Sequence, residues 1–180
     1  YEQDRGYVGA AAYPKFVGGL SFSGDWKGID LSFLFQAGLG RDVALTGVYS
    51  GGIMDNTQMT KPFYHGGNSP KYLVENSWRE DNTNAEFPRL SIVQASSNNA
   101  YSSTFWYRSG DYLRLKNLQI GYTFPQKWMS RIGIDRLRIY FEGQNLWTVS
   151  ELTKFNIDPE QPGVSNGYYP QQRIFSFGVN

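Results

Sequence analysis

The sequence holds no cysteine and a single histidine, His65, in 180 residues. Zero cysteines exclude a disulfide scaffold, an iron–sulfur cluster and a thiolate zinc site. His65 stands beside Tyr64 in a glycine-rich stretch and reads as a solvated loop residue, because no partner ligands accompany it. An excess of one charge is also missing. Lys plus Arg number 17 and Asp plus Glu 16, a net charge of +1, so nothing electrostatic points to nucleic acid. No stretch approaches the roughly 20 apolar residues of a transmembrane helix, and Tyr1 to Arg5 contains no apolar signal-peptide core. No internal repeat of about 20–50 residues is visible. A catalytic set is absent too. Glu80 and Asp81 are adjacent in sequence, whereas glycosidase chemistry needs two carboxyls about 5–10 Å apart across a sugar. The chain reads as a non-enzyme without metal or cofactor.

Aromatic residues and glycine are abundant: 5 Trp, 13 Tyr, 12 Phe and 20 Gly, within 40% hydrophobic residues. That content argues against disorder. It suits either of two all-β classes. A membrane barrel strand needs only about 9–11 residues with every second one apolar, so a barrel looks hydrophilic on average. A soluble glycan-binding sandwich has similar composition.

Five segments alternate with a period of two, which fits strands and not a 3.6-residue helix. In Phe16 to Trp26, the residues Phe16, Gly18, Leu20, Phe22, Gly24 and Trp26 share a face. In Gly28 to Leu39, Ile29, Leu31, Phe33, Phe35, Ala37 and Leu39 oppose Asp30, Ser32, Leu34, Gln36 and Gly38, and Lys27 marks a tight hairpin between the two segments. In Tyr112 to Phe124, Leu118, Ile120, Tyr122 and Phe124 oppose Asn117, Gln119, Gly121 and Thr123. Upstream of these the phase slips at Arg114 and Lys116, by a bulge or because the strand leaves the apolar layer. Pro125 to Ile132 has the proline and the following Gly133 of a short helical turn. In Leu137 to Trp147, Leu137, Ile139, Phe141 and Gly143 oppose Arg138, Tyr140, Glu142 and Gln144. Arg173 to Asn180 places Phe175, Phe177 and Val179 on one face.

The connections run short, long, short, long: Lys27, about 41–110, Pro125 to Arg136, and about 150–172. In an up-and-down sheet, alternate connections emerge at the same end. Both short ones therefore share one end and both long ones the other, the asymmetry of outer-membrane barrels. A soluble sandwich also accommodates this order. A loop as long as 41–110 is expected to be ordered and functional, with a short helix over Tyr72 to Trp78. Five strands cannot close a barrel, and open edges do not survive in lipid. The chain is therefore expected to be one end of a longer protein or to pair with another fragment.

A family resemblance rests on particular runs. Phe105-Trp106-Tyr107-Arg108-Ser109-Gly110-Asp111-Tyr112-Leu113-Arg114-Leu115-Lys116-Asn117-Leu118-Gln119-Ile120-Gly121-Tyr122 is similar to the third-last strand and its lead-in of SusC/RagA-family TonB-dependent transporters. Leu137 to Thr148, with Gln144-Asn145-Leu146-Trp147, resembles the following strand. Asp158-Pro159-Glu160 and Tyr168-Tyr169-Pro170-Gln171-Gln172-Arg173 resemble the last extracellular loop, and Ile174 to Asn180 the final strand. The Tyr13-Pro14-Lys15 lead-in also fits. The resemblance implies that residues 1–180 are the C-terminal strands of a 22-stranded outer-membrane barrel, integral to the cell outer membrane as in Bacteroidota. It implies a SusD-like surface lipoprotein as lid, import of oligosaccharide or peptide, and coupling to the TonB complex through an N-terminal plug region outside this sequence. The family's last strand usually runs on to an aromatic terminus, so the true end is expected beyond Asn180.

In that frame Asp30, Gln36, Asn117, Gln119, Arg138, Tyr140, Glu142 and Gln144 face the lumen, as wall filling or plug contacts. Arg138 and Glu142 lie four residues apart, too far along a strand to pair readily, so partners on neighbouring strands or the plug are expected. Trp26 and Tyr122 fit an interfacial aromatic girdle. Lys127, Trp128 and Arg131 read as a solvated periplasmic turn. The substrate-binding candidates of the long loop are Trp78, Arg79, Asp81, Asn98, Asn99, Trp106 and Tyr107, because sugar C–H faces stack on aromatics while polar neighbours bind hydroxyls. The same aromatics could instead pack the loop or meet the lid. Two rival readings remain open on the residues: a soluble all-β carbohydrate-binding module and a smaller adhesin-like barrel without import.

Overall fold

The computed structural model describes residues 6, 11–45, 70–90, 103–162 and 171–180. The first alternating run becomes β1 (Phe16–Trp26) and the second β2 (Ile29–Leu39), paired antiparallel from Phe16↔Leu39 to Trp26↔Ile29. Lys27 and Gly28 between them have φ of 49° and 87°. Two consecutive left-handed residues make the mirror-image turn whose twist matches that of the flanking strands. Gly28 is needed there for space as well, since a Cβ would lie 2.7 Å from the Thr123 carbonyl oxygen.

Two short strands, β3 (Asp42–Ala44) and β4 (Tyr107–Ser109), flank a helix, α1 (Lys71–Glu75). Then come β5 (Tyr112–Thr123), α2 (Gln126–Met129), β6 (Arg138–Ser150) and β7 (Ile174–Val179). The main sheet has the order β1-β2-β5-β6-β7 with every pair antiparallel. Pro125 opens the α2 turn, and Gly133, at φ 74°, ends its 3-10 continuation.

The phase slip near Lys116 is a bulge. The register steps from Leu115 to Asn117 against both neighbours, leaving Lys116 unmatched. Opposite it, β6 steps from Gln144 to Trp147, and Asn145 sits at φ 52°. This second irregularity was not anticipated. It turns Leu146 over Gly143, where no side chain stands in the way.

The register sorts the sheet into rows. On one face run Trp26–Ile29–Tyr122–Ile139–Val179, Gly24–Leu31–Ile120–Phe141–Phe177 and Phe22–Phe33–Leu118–Gly143–Phe175. The opposite face carries Ser23–Ser32–Gln119–Glu142–Ser176 and Asp25–Asp30–Gly121–Tyr140–Gly178. The apolar face is not a core: Phe177 is 82% exposed and Leu20 65%.

The chain divides into two units. The sheet unit comprises Pro14–Leu39, Asp111–Ser150 and Pro170–Asn180, and the loop unit comprises Tyr1–Tyr13, Gly40–Gly110 and Glu151–Tyr169. The loop unit has a hydrophobic core of its own, built on Val43, Leu45, Leu73, Phe87, Trp106, Leu152, Phe155 and Ile157. The helix expected over Tyr72 to Trp78 is displaced and shorter. Beyond Glu75 the backbone is taken up by a bridge, with the Phe87 N–H donating to the Asn76 carbonyl and the Trp78 N–H to the Phe87 carbonyl, each at 2.9 Å.

Candidate functional site

The polar face of the sheet is organised around missing side chains. Arg138 on β6 donates to Asp30 on β2, from Nε at 2.9 Å and from Nη2 at 2.5 Å. The two residues are separated by the whole width of β5. The bridge crosses it at Gly121, where a Cβ would come within 2.5 Å of both Asp30 oxygens and 2.6 Å of the guanidinium. The guanidinium also lies 4.8 Å from the centre of the Tyr140 ring, a cation–π contact. That ring in turn lies over Gly178. At the other end of the face, the Tyr112 ring covers Gly38 and its hydroxyl accepts from Gln36 Nε2 at 3.1 Å. Gln144 donates to Glu142 at 3.3 Å.

The eight residues assigned to a lumen, Asp30, Gln36, Asn117, Gln119, Arg138, Tyr140, Glu142 and Gln144, therefore occupy one face of the sheet. The expectation that Arg138 pairs across strands is met by Asp30. Leu34 is an apolar intrusion in the row of Asn117 and Gln144. Arg114, unassigned by sequence reasoning because it lies upstream of the bulge, is also on this face. It is buried and donates to Thr148 Oγ1 at 2.9 Å.

In the loop unit the core is capped by a charge cluster joining three distant segments. Glu86 accepts from the Tyr72 hydroxyl at 2.6 Å, from Lys154 at 3.2 Å and from Arg108 at 3.3 Å. Arg108 and Lys154 also approach Glu151, at 3.6 and 3.7 Å. Both cations lie over aromatic rings: Arg108 5.5 Å from Phe105, Lys154 4.7 Å from Phe155. None of this was visible in the sequence, because the partners of Glu86 are 14, 22 and 68 residues away and their spacing follows no period.

The loop candidates divide. Trp78, Arg79 and Asp81 come together on the turn after α1. Arg79 and Asp81 form an exposed ion pair at 3.2 Å, and Arg89 lies 6.0 Å from the Trp78 ring. Tyr107 is half-buried on β4, opposite Ala44. Trp106 is placed differently from the sequence assignment. It is 1% exposed, stacked on Phe87 at 6.2 Å within the core, and offers no face to a ligand. Asn98 and Asn99 lie outside the described residues. Among the described residues no group of three or more His, Cys, Asp or Glu side chains could hold a metal ion.

The cluster is pH-sensitive by construction. The hydrogen bond to Glu86, with burial and the carboxylate's charge, pushes the Tyr72 hydroxyl up to about 12. Burial alone would raise the Glu86 carboxyl, but hydrogen bonds from Tyr72, Lys154 and Arg108 together outweigh it and hold it below its ordinary 4.5. A lowered carboxyl stabilises the fold above the unfolded value and loses that contribution as pH falls through the folded one. A raised phenol stabilises below the unfolded value of 10.0 and loses that contribution as pH rises toward about 12. In the full-length protein, subtilisin nicking within residues 70–110 is expected to rise steeply above about pH 10. Tyr72→Phe should be less protected at pH 8 and show no such further rise.

No family model matches the chain. Two curated proteins of Formosa agariphila align with nearly all of it. TonB-dependent receptor P3 is 28% identical over 190 aligned positions, covering 98% of this chain and 17% of the receptor. TonB-dependent receptor P26 is 25% identical over 193, covering 98% and 18%. A solved structure of the RagAB peptide transporter superposes with a TM-score of 0.64 at 26% identity, over 96% of this chain and 17% of that one. The chain is a homologue of TonB-dependent receptors. Its five-stranded sheet matches a segment of a TonB-dependent barrel. The chain spans about a sixth of the length of these receptor relatives. TonB-dependent receptors are outer-membrane β-barrel proteins, and the relatives are receptors and transporters, not enzymes. Among the described residues no helix is long and apolar enough to cross a membrane.

Proposed function

We propose that residues 1–180 form the C-terminal wall and outer loops of an outer-membrane TonB-dependent importer. The observation that carries this reading is the row-by-row division of the sheet. One face is apolar and exposed, the other polar and cross-bridged. An 11-residue strand, at about 3.3 Å per residue and a tilt of about 45°, stands about 25 Å tall, the height of a barrel's apolar band. The apolar rows meet lipid, and the polar rows face the lumen and its plug. Residues of about 41–110 and 150–172 are the outer loops, with Trp78, Arg79 and Asp81 available to substrate or to a SusD-like lipoprotein lid. Two sources favour different cargoes. The family resemblance includes glycan importers, while the solved relative is a peptide transporter; the cargo is proposed as an oligosaccharide or a peptide. Energy is supplied through the TonB complex acting on the plug region of the full-length protein.

The test is uptake by cells carrying the full-length gene beside that of its candidate lipoprotein. Accumulation of labelled oligosaccharide or oligopeptide should vanish on deletion of TonB and fall on deletion of the lipoprotein. Uptake that persists without TonB would overturn the importer reading.

A further inference from the structure

The connection between β5 and β6 exposes more apolar surface than a solvated turn should. Trp128 is 54% exposed and Ile132 64%, with Ile134 also exposed. The turn is continuous with the apolar face. Phe124 packs edge-on against Tyr122 of that face at 5.0 Å, and the chain enters the turn one residue later, at Pro125. Exposed basic groups accompany the apolar ones: Lys127, Arg131 and Arg136 on the connection, and Lys27 on the neighbouring hairpin, its ammonium 4.7 Å from the Trp26 ring. The acidic groups at this end are Asp25, Asp30 and Asp135, of which Asp30 is engaged by Arg138 on the polar face. Bulky apolar side chains mixed with cations, at the edge of a lipid-facing band, match the chemistry of a headgroup layer: an apolar zone below and anionic phosphates above.

We infer that residues 125–136 are an interfacial anchor that sits in the membrane leaflet on the short-connection side and selects anionic phospholipid headgroups. This rests on the barrel reading, which places both short connections at the periplasmic leaflet. It replaces the solvated turn expected from the sequence. Trp128 and Ile132 enter the acyl–headgroup boundary, while Lys127, Arg131 and Arg136 bind phosphate.

The test uses the full-length receptor, any cysteine elsewhere replaced by serine, carrying bimane at Ile132→Cys or, separately, at Phe33→Cys in the middle of the apolar face. Each is reconstituted into phosphatidylcholine vesicles containing a minor fraction of phosphatidylglycerol, with one or the other lipid brominated. The label at 132 should be quenched, and phosphatidylglycerol should be preferred over its bulk fraction by on the order of tenfold. Lys127→Gln/Arg131→Gln/Arg136→Gln should remove the preference and leave quenching at 33 unchanged. A label at 132 that is quenched by neither lipid, while the label at 33 is quenched, would show a solvated turn and overturn the anchor alone. Equal quenching by both lipids at 132 would overturn the selection of anionic headgroups. Absence of quenching at 33 would overturn the barrel reading itself.

Discussion

Replacing Phe33 by arginine in the full-length protein is expected, on the proposed barrel reading, to deplete the folded form from the outer membrane. Phe33 stands in the middle row of the apolar face, stacked on Phe22 at 5.3 Å and edge-on to Phe35 at 5.5 Å. A guanidinium there must enter hydrocarbon, which costs about 2–4 kcal/mol near the bilayer midplane. The neighbouring Ser32 lies on the opposite face, in the row of Gln119 and Glu142. Ser32→Asn should change stability by less than about 0.5 kcal/mol. Urea titration of receptor folded into vesicles measures both. If the arginine variant folds as well as the parent, Phe33 does not face lipid.

The second large effect is expected from Glu86→Ala, and it should be confined to the loop unit. The carboxylate accepts from Tyr72, Arg108 and Lys154 together. Removing it leaves Arg108, whose side chain is 13% exposed, with only the longer contact to Glu151 as a carboxylate partner, beside the Phe105 and Tyr107 carbonyls to which it also donates. Lys154, 37% exposed, turns to water and adds little. Weakening the pairing of a largely buried cation and leaving a phenol without its acceptor costs about 2 kcal/mol. Hydrogen exchange should then accelerate in residues 70–90 and 151–157, and the strands of the sheet should keep their protection. Uniform exchange before and after the substitution would mean that the cluster does not hold the unit together. Asp81→Ala, which opens only the exposed pair with Arg79, serves as the contrast and should be nearly silent.

The strands were readable because their signal is local. Alternation from Phe16 to Trp26 names every residue of β1, and the bounds of β2, β5 and β7 differ by one residue at most at each end. The phase slip near Lys116 was readable for the same reason, since the apolar positions change from Leu113 and Leu115 to Leu118 and Ile120; that it is a bulge, and not the strand leaving the apolar layer, is read from the register. The irregularity at Asn145 was not, because Gln144-Asn145-Leu146-Trp147 breaks the alternation where the sequence pattern ends, and the strand instead continues to Ser150. The loop unit was opaque for a different reason. Its core gathers Val43, Phe87, Trp106 and Leu152 from places with no shared period, and nothing in the neighbourhood of Trp106 distinguishes a packed indole from a binding platform. The Arg138–Asp30 bridge was half legible: the distance along β6 disfavoured Glu142, but the choice of partner depended on the gap over Gly121 in the one intervening strand, which only the register reveals.

That gap bears on how the strands find one another. A strand that slips by two residues keeps its apolar and polar faces and so loses nothing in gross patterning. Here such a slip would bring Gln119 or Thr123 beneath the guanidinium in place of Gly121, and Glu142 or Arg138 beside Gly178 in place of Tyr140. The space would be filled and the bridge could not form. The two glycines thus act as alignment marks. They allow only one pairing to close with its ion pair and its ring both seated, and they discriminate among mispaired arrangements that hydrophobicity alone cannot tell apart.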